Sequence, residues 1–175
     1  MILKNQWLNQ KSIPKDLNLA KELVYDYFDF DCSEPVPVPE SAEYNAYQFY
    51  LDKKYICYRE AKITPIKIGQ FVTLWKRNKS EIIEPFDFSD EIDFVIISAR
   101  KENRFGQFIF PKAILLEKGI FSTKTKEGKR ATRVYPPWDE AISPQAKKTQ
   151  QWQLRYFYEI SPEIDFETFT RLIQS

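Results

Sequence analysis

Two carboxylates and a lysine in this chain have the types and spacing to hold a divalent metal against a phosphate: Glu43, Glu60 and Lys62. The segments YNAYQFYL and KYICYREA read as two strands joined at Asp52-Lys53, a tight hairpin. In that register Lys62 lies opposite Glu43 and Glu60 opposite Asn45. Alternating side chains then put Glu43, Glu60 and Lys62 on one face. Magnesium-dependent nucleases use such a set: the carboxylates hold the metal, and the lysine orients water and offsets charge developing on the phosphate. The plainer alternative is a cross-strand Glu43–Lys62 ion pair worth about 0.2–1 kcal/mol. A second arrangement, Asp93 in EIDFVIIS followed by Gln107 in FGQFIF, has Ile109 where the lysine belongs. Lys112 lies too far along that strand to replace it.

Phosphate can also be held without being cleaved, and the cations are distributed for that. From Ala61 to Lys79 there is no Asp or Glu, while Lys62, Lys67, Lys76 and Arg77, with Arg59 just upstream, surround Phe71 and Trp75. The stretch KTKEGKRATR carries Lys129, Arg130 and Arg133 beside Tyr135 and Trp138, where guanidinium forks suit phosphates and exposed rings suit bases. In SPQAKKTQQWQLRYF, Gln145, Lys148, Trp152 and Arg155 recur at steps of three or four, on one helix face without an acid. Net charge is only +1, yet it is banded: −4 over 1–50, +6 over 51–80, −5 over 81–100, +6 over 101–134 and −2 beyond. The bands either neutralise one another across the fold or leave a basic face that binds phosphates by counterion release.

Several chemistries are excluded. The chain has no His, which removes Ser-His-Asp and Cys-His catalysis and His-ligated zinc. Four Gly against 11 Pro leave no glycine-rich phosphate loop. Cys32 and Cys57 form neither a CxxC motif nor a disulfide framework, which fits a reducing cytosol. The start, MILKNQWLNQ, lacks a signal-peptide apolar run and no segment reaches about 18 apolar residues, so a soluble cytoplasmic protein is expected.

The elements that must position these residues alternate in type. Residues 16–29 have helical spacing after Pro14, and SEPVPVPES is an extended connector. PIKIGQFVTLWKR is predicted as a helix opened by Thr64-Pro65, with Ile66, Phe71, Leu74 and Trp75 toward the core. EIDFVIIS and FGQFIF form a second strand pair, PKAILLEKGI a short helix ended by Gly119, and RATRVY a further strand. A helix over SPQAKKTQQWQLRYFYEI and a last one over EIDFETFTRLI complete the chain. The expected fold is a single α/β (α+β-like) domain, a mixed, largely antiparallel central sheet flanked by helices. It divides into an N-terminal helical region (1–33), a connector (34–41), an α/β core (42–160) and a C-terminal helix (161–175).

Taken together, these segments resemble the MepB-like family of bacterial proteins. The matching residues are Arg59-x-Ala61-Lys62, Thr64-Pro65, Lys67-Ile68-Gly69-Gln70-Phe71-Val72, Leu74-Trp75-Lys76-Arg77, Pro85-Phe86 and Gly106-Gln107-Phe108. They continue through Phe110-Pro111-Lys112, Gly128-Lys129-Arg130, Arg133-Val134-Tyr135-Pro136, Trp138-Asp139, Gln145-Ala146 and Thr149-Gln150-x-Trp152-Gln153. The resemblance implies a restriction-endonuclease-like core. It passes over Glu60, which favours binding over cleavage.

The expected function is therefore nucleic-acid binding, with double-stranded DNA as partner, on a non-catalytic or degenerate nuclease scaffold and without a cofactor. Arg59, Lys62, Lys67, Lys76, Arg77, Lys112, Lys129, Arg130 and Arg133 would meet phosphate, with Tyr135, Gln145 and Lys148 shaping the groove. The alternatives are a magnesium-dependent nuclease using Glu43, Glu60 and Lys62, and a protein- or small-molecule-binding module whose aromatic cluster lines a pocket.

Overall fold

The most apolar strands of the chain, FVIISA and FGQFIF, become the middle of the molecule. A strand covered on both faces reads as an unbroken apolar run, and all six residues from Phe94 to Ala99 are buried. The computed structural model describes residues 6–175. In chain order its elements are α1 (Lys15–Ala20), β1 (Val36–Pro37), β2 (Tyr47–Leu51), β3 (Lys54–Glu60), β4 (Lys62–Ile63), β5 (Gln70–Thr73), β6 (Lys76–Arg77) and β7 (Ile83–Glu84). There follow β8 (Phe94–Lys101), β9 (Arg104–Pro111), α2 (Lys112–Glu117), β10 (Ala131–Val134), α3 (Pro144–Gln153), β11 (Phe157–Glu159) and α4 (Phe166–Ile173).

The central sheet has six strands in the order β1-β2-β3-β8-β9-β11. Every neighbouring pair is antiparallel except β3 and β8, so the fold is mixed α/β with a mostly antiparallel sheet. A smaller sheet runs β10-β5-β4, and β6 pairs with β7. Each face of the central sheet has its own apolar layer. On one, Ile56, Tyr58, Ile96 and Ile109 pack with Leu17 and Val24 of the α1 region and with Phe169 and Leu172 of α4. On the other, Val95, Ile97, Phe108 and Phe110 pack with Val72 and Val134 of the smaller sheet and Leu115 of α2. Among the described residues no helix is long and apolar enough to cross a membrane.

Two elements differ most from expectation. The segment 65–77 is not a helix. It is a turn followed by β5 and β6, and Ile66, expected in the core, is 95% exposed. Apolar residues here fit a period of three to four, but they also alternate: Gln70 and Val72 are buried while Phe71 and Thr73 are half-buried. Pairing with β10, far along the chain, selects the strand. Gly69 supports the bend into it at φ +83°, where a Cβ would lie 2.7 Å from the Tyr135 ring. The second difference is the end of α3. The helix stops at Gln153, passes through a 3-10 turn at Leu154–Tyr156 and becomes edge strand β11 on β9. Gly106 admits this pairing, because the Phe157 ring lies across its Cα and leaves no room for a side chain.

Candidate nucleic-acid interface

The hairpin forms in the expected register, Tyr47 opposite Tyr58 and Leu51 opposite Lys54, but it does not extend to Glu43. Asn45 at φ 47° breaks the strand, and Glu43 sits before it in a short exposed 3-10 turn. The partner strand β3 finishes at Glu60, and Lys62 begins β4 in the smaller sheet. The cross-strand placement of Lys62 opposite Glu43 is thus corrected. Lys62 Nζ lies over the Tyr44 ring at 4.8 Å instead.

Glu60 does meet Asn45, whose Nδ2 donates to Oε1 at 2.8 Å, while Tyr58 donates its hydroxyl to Oε2 at 2.9 Å. Behind Tyr58 the hydrogen bonds continue inward. Ser98 Oγ is 2.7 Å from the Tyr58 hydroxyl, Gln107 Nε2 donates to Ser98 at 3.1 Å, and Tyr25 donates to Gln107 Oε1 at 2.7 Å. Burial raises the Glu60 carboxyl despite these two donors, and burial raises the Tyr58 phenol well above its usual range. Gln107 is thereby committed to the interior. Ile109 stands two residues on in the same layer, and Asp93 accepts from the Tyr55 backbone N–H at 2.8 Å. Among the described residues no group of three or more His, Cys, Asp or Glu could hold a metal ion.

The basic band splits. Arg59 is buried at the floor of a cavity, 1% exposed. Lys76 is not available to phosphate: its Nζ lies 2.7 Å from Asp90, 3.0 Å from Asp87 and 3.7 Å from Glu84. The acids missing from its own segment are supplied by the next one, Glu84 across the β6–β7 pair and Asp87 and Asp90 in the segment that follows β7. Burial opposes ionisation of Asp87, but hydrogen bonds from Ser89 and Lys76 hold its carboxyl at about 2. Lys112 Nζ is likewise engaged, donating to the Asp90 carbonyl. Arg77 stacks over Trp75 at 5.4 Å and donates to the Glu81 carbonyl at 3.0 Å. Lys67 is exposed in the turn beside Ile66, at a cleft of about 420 Å³ that Asp139 and Glu140 also line.

Other predicted residues do come together, on the outer face of the smaller sheet. Lys62 is opposite Phe71 on β5, and Phe71 is opposite Arg133 on β10, so the three share a face. Tyr44 packs edge-on to Phe71 at 6.0 Å, and the Arg133 guanidinium lies 5.9 Å over the same ring. Arg133 is fixed there by bonds to the Ile68 and Gly69 carbonyls and, at 2.8 Å, to the Thr64 hydroxyl. Lys129, Arg133, Tyr135 and Gln145 then surround a groove of about 370 Å³ between β10 and the start of α3. Arg130 is exposed nearby and pairs with Glu127 at 2.8 Å.

The helix beside this groove is built for its place. Ser143 caps it, Oγ accepting from the Ala146 N–H at 3.1 Å, Pro144 opens it, and no acid occupies its first turn. Gln153 clamps it to β10, Oε1 accepting from the Tyr135 N–H and Nε2 donating to the Arg133 carbonyl, both at 2.8 Å. Gln150 donates to the Pro136 and Asp139 carbonyls. Two of the helix's glutamines are therefore structural, while Gln145 and Gln151 remain exposed. On the other side of α3 a second groove of about 510 Å³ is lined by Lys118, Lys148, Trp152 and Arg155, and Gln145 and Thr149 line both. Among the described residues no carboxylate lines either groove. Lys118 was not expected here; it leaves α2 just before Gly119, and nothing in its neighbours along the chain marks it. Trp138 is half-buried, edge-on to Phe157 at 5.7 Å.

A family model described as MepB-like matches residues 38–159. The crystal structure of MepB superposes with a TM-score of 0.75 at 31% identity, covering 86% of this chain and 99% of that one. A bacterial homing endonuclease is more distant, at a TM-score of 0.47 and 12% identity, covering 83% of this chain and 92% of its own. No curated protein sequence matches the chain.

Proposed function

The chain belongs to the MepB-like family, and we propose that it binds double-stranded DNA without cleaving it, through the surface that α3 and β10 share. The observation that carries this reading is the pair of grooves flanking α3. Lys129 and Arg133 stand on one side, Lys118, Lys148 and Arg155 on the other, and no carboxylate lies among the lining residues. Lys118 is shared with Glu117 at 3.6 Å, but among the described residues no carboxylate pairs with Lys129, Arg133, Lys148 or Arg155. Those four are free to displace the counterions of a phosphate backbone, and the unopposed N-terminal turn of α3 adds partial positive charge. Gln145, between the two grooves, and Tyr135 at the rim of the first offer hydrogen bonds and a ring to the groove of the duplex. Lys62, across Phe71 from Arg133, extends the same face.

Binding is favoured over magnesium-dependent cleavage because Glu60 and Lys62 belong to different sheets and both Glu60 oxygens already accept hydrogen bonds. Localisation in the cytoplasm of a bacterium is part of the proposal. The deciding experiment is a mobility-shift titration of a short duplex across ionic strength, with a plasmid incubated in parallel with magnesium or manganese. Affinity that falls steeply with salt, with the plasmid intact, is expected. Affinity that ignores salt overturns the reading, and metal-dependent nicking abolished by Glu60→Ala replaces it with the nuclease.

A further inference from the structure

Arg59 is the most conspicuous buried charge in the molecule. It is among the largest fully buried side chains, and its Nη1 donates to the Tyr58 carbonyl at 2.9 Å. Among the described residues its Nε and Nη2 have no oxygen or nitrogen acceptor, and the polar side chain that meets the guanidinium is the Cys57 thiol. Among the described residues no carboxylate pairs with it. The neighbouring Cys57 thiol supplies no counter-charge, because burial raises its pKa and the Arg59 charge only partly offsets that. A guanidinium out of water is ordinarily matched by an anion, and removing the partner of such a pair is strongly destabilising.

The missing anion has a place to come from. Arg59 lines a cavity of about 620 Å³ on the outer half of the β2–β3 hairpin, walled by Tyr55, Trp75 and Phe86. The Phe86 ring lies 6.0 Å from the guanidinium carbon. Nε and Nη2 form the side edge of the guanidinium, which presents two parallel N–H groups to the two oxygens of a carboxylate. Around the same cavity Asp90 is occupied by Lys76 at 2.7 Å, and Glu40 and Glu91 add negative charge. Those carboxylates oppose a dianion such as a phosphate monoester but tolerate a single charge neutralised by Arg59.

We propose that this cavity is a binding site for a small organic carboxylate with a flat apolar body. The carboxylate accepts from Arg59 Nε and Nη2 as Phe86 turns aside, and the body lies against Trp75 and Phe86. The site is separate from the grooves of α3 and does not depend on nucleic-acid binding.

Calorimetric titration of the full chain with phenylacetate, phenylacetamide and phenyl phosphate tests it. Phenylacetate is expected to bind one to one, with the neutral amide and the phosphate dianion each at least about tenfold weaker. Replacing both rim carboxylates, Glu40→Gln with Glu91→Gln, is expected to narrow the gap between phenyl phosphate and phenylacetate. Arg59→Met is expected to abolish phenylacetate binding without lowering the ligand-free melting temperature, since it removes an uncompensated charge. If that variant does not fold, the contrast between acid and amide in the wild-type protein still decides. Absence of phenylacetate binding, equal binding of the amide, or unchanged binding by folded Arg59→Met overturns the proposal.

Discussion

Lys76 and Lys148 show that a cation's worth to a polyanion is set by what surrounds it. Lys76 has three carboxylates within 3.7 Å, whereas Lys148 lines a groove with none. Lys76→Met is therefore expected to leave duplex affinity unchanged while lowering stability, most visibly by exposing Asp87 and Asp90 to each other. The pH dependence follows from Asp87. Its folded pKa, about 2, lies below its ordinary 3.8, so the stability it contributes is present above pH 4 and lost as pH falls toward 2. Urea melts between pH 2 and 6 should show that acid limb flattened in Lys76→Met. Glu60 has the opposite sign. Burial raises its pKa above 4.5, so the folded state holds the proton more tightly and stability declines as pH rises through that window. Glu60→Gln removes the penalty: its amide oxygen can take the place of Oε2 in accepting from Tyr58, while Asn45 can turn its own amide oxygen to the new NH₂. It should match or exceed the wild-type melting temperature at pH 7, with the difference vanishing below pH 4. Glu60→Ala, which leaves the Tyr58 hydroxyl without its acceptor, should cost about 1–3 kcal/mol.

α3 carries the proposed interface, and its attachment is narrow enough to test separately from its charges. Ser143→Ala removes the cap and should cost about 1 kcal/mol. Gln153→Leu strands the Tyr135 N–H and the Arg133 carbonyl together and should cost about 1–3 kcal/mol, loosening the groove wall. Duplex affinity should fall in Gln153→Leu although no charge changes; a fully stable variant with normal affinity would refute the clamp. These elements also show what could be read from the chain. The two hairpins were legible because strand-length apolar segments flank a polar turn, and α2 because Gly119 ends its apolar stripe. The strands at Gln70–Thr73 and Phe157–Glu159 were not, since each depends on a partner remote in sequence and its local pattern also suits a helix. Lys129, Arg133, Tyr135 and Gln145 line one groove, and the segments that carry them hold a single acid, Glu127, so little pairing information was needed to group them. Lys76 misled for the converse reason: its partners, Glu84, Asp87 and Asp90, fall in a different charge band, and a band's sign says nothing of what folds against it.

For the whole molecule, a net charge of +1 leaves no general attraction to DNA, so binding must come from a local excess of cations. The grooves flanking α3 supply five, Lys118, Lys129, Arg133, Lys148 and Arg155. Each phosphate neutralised contributes about −0.9 to the slope of log K against log salt. Full engagement therefore gives a slope of roughly −4 to −5, and a smaller one if only one groove meets the duplex. Lys129→Ala with Lys148→Ala and Arg155→Ala removes cations from both sides of α3 and should reduce the slope by about 2.7. Arg133 is left intact in that variant because its bonds to Thr64, Ile68 and Gly69 hold the turn, and replacing it would confuse charge with structure. The control, Arg77→Ala with Lys67→Ala, removes two cations outside these grooves and should leave the slope where it was. Losses in proportion to the cations removed, about 2.7 against about 1.8, would mean that DNA senses total charge rather than this surface, and α3 would lose its assigned role.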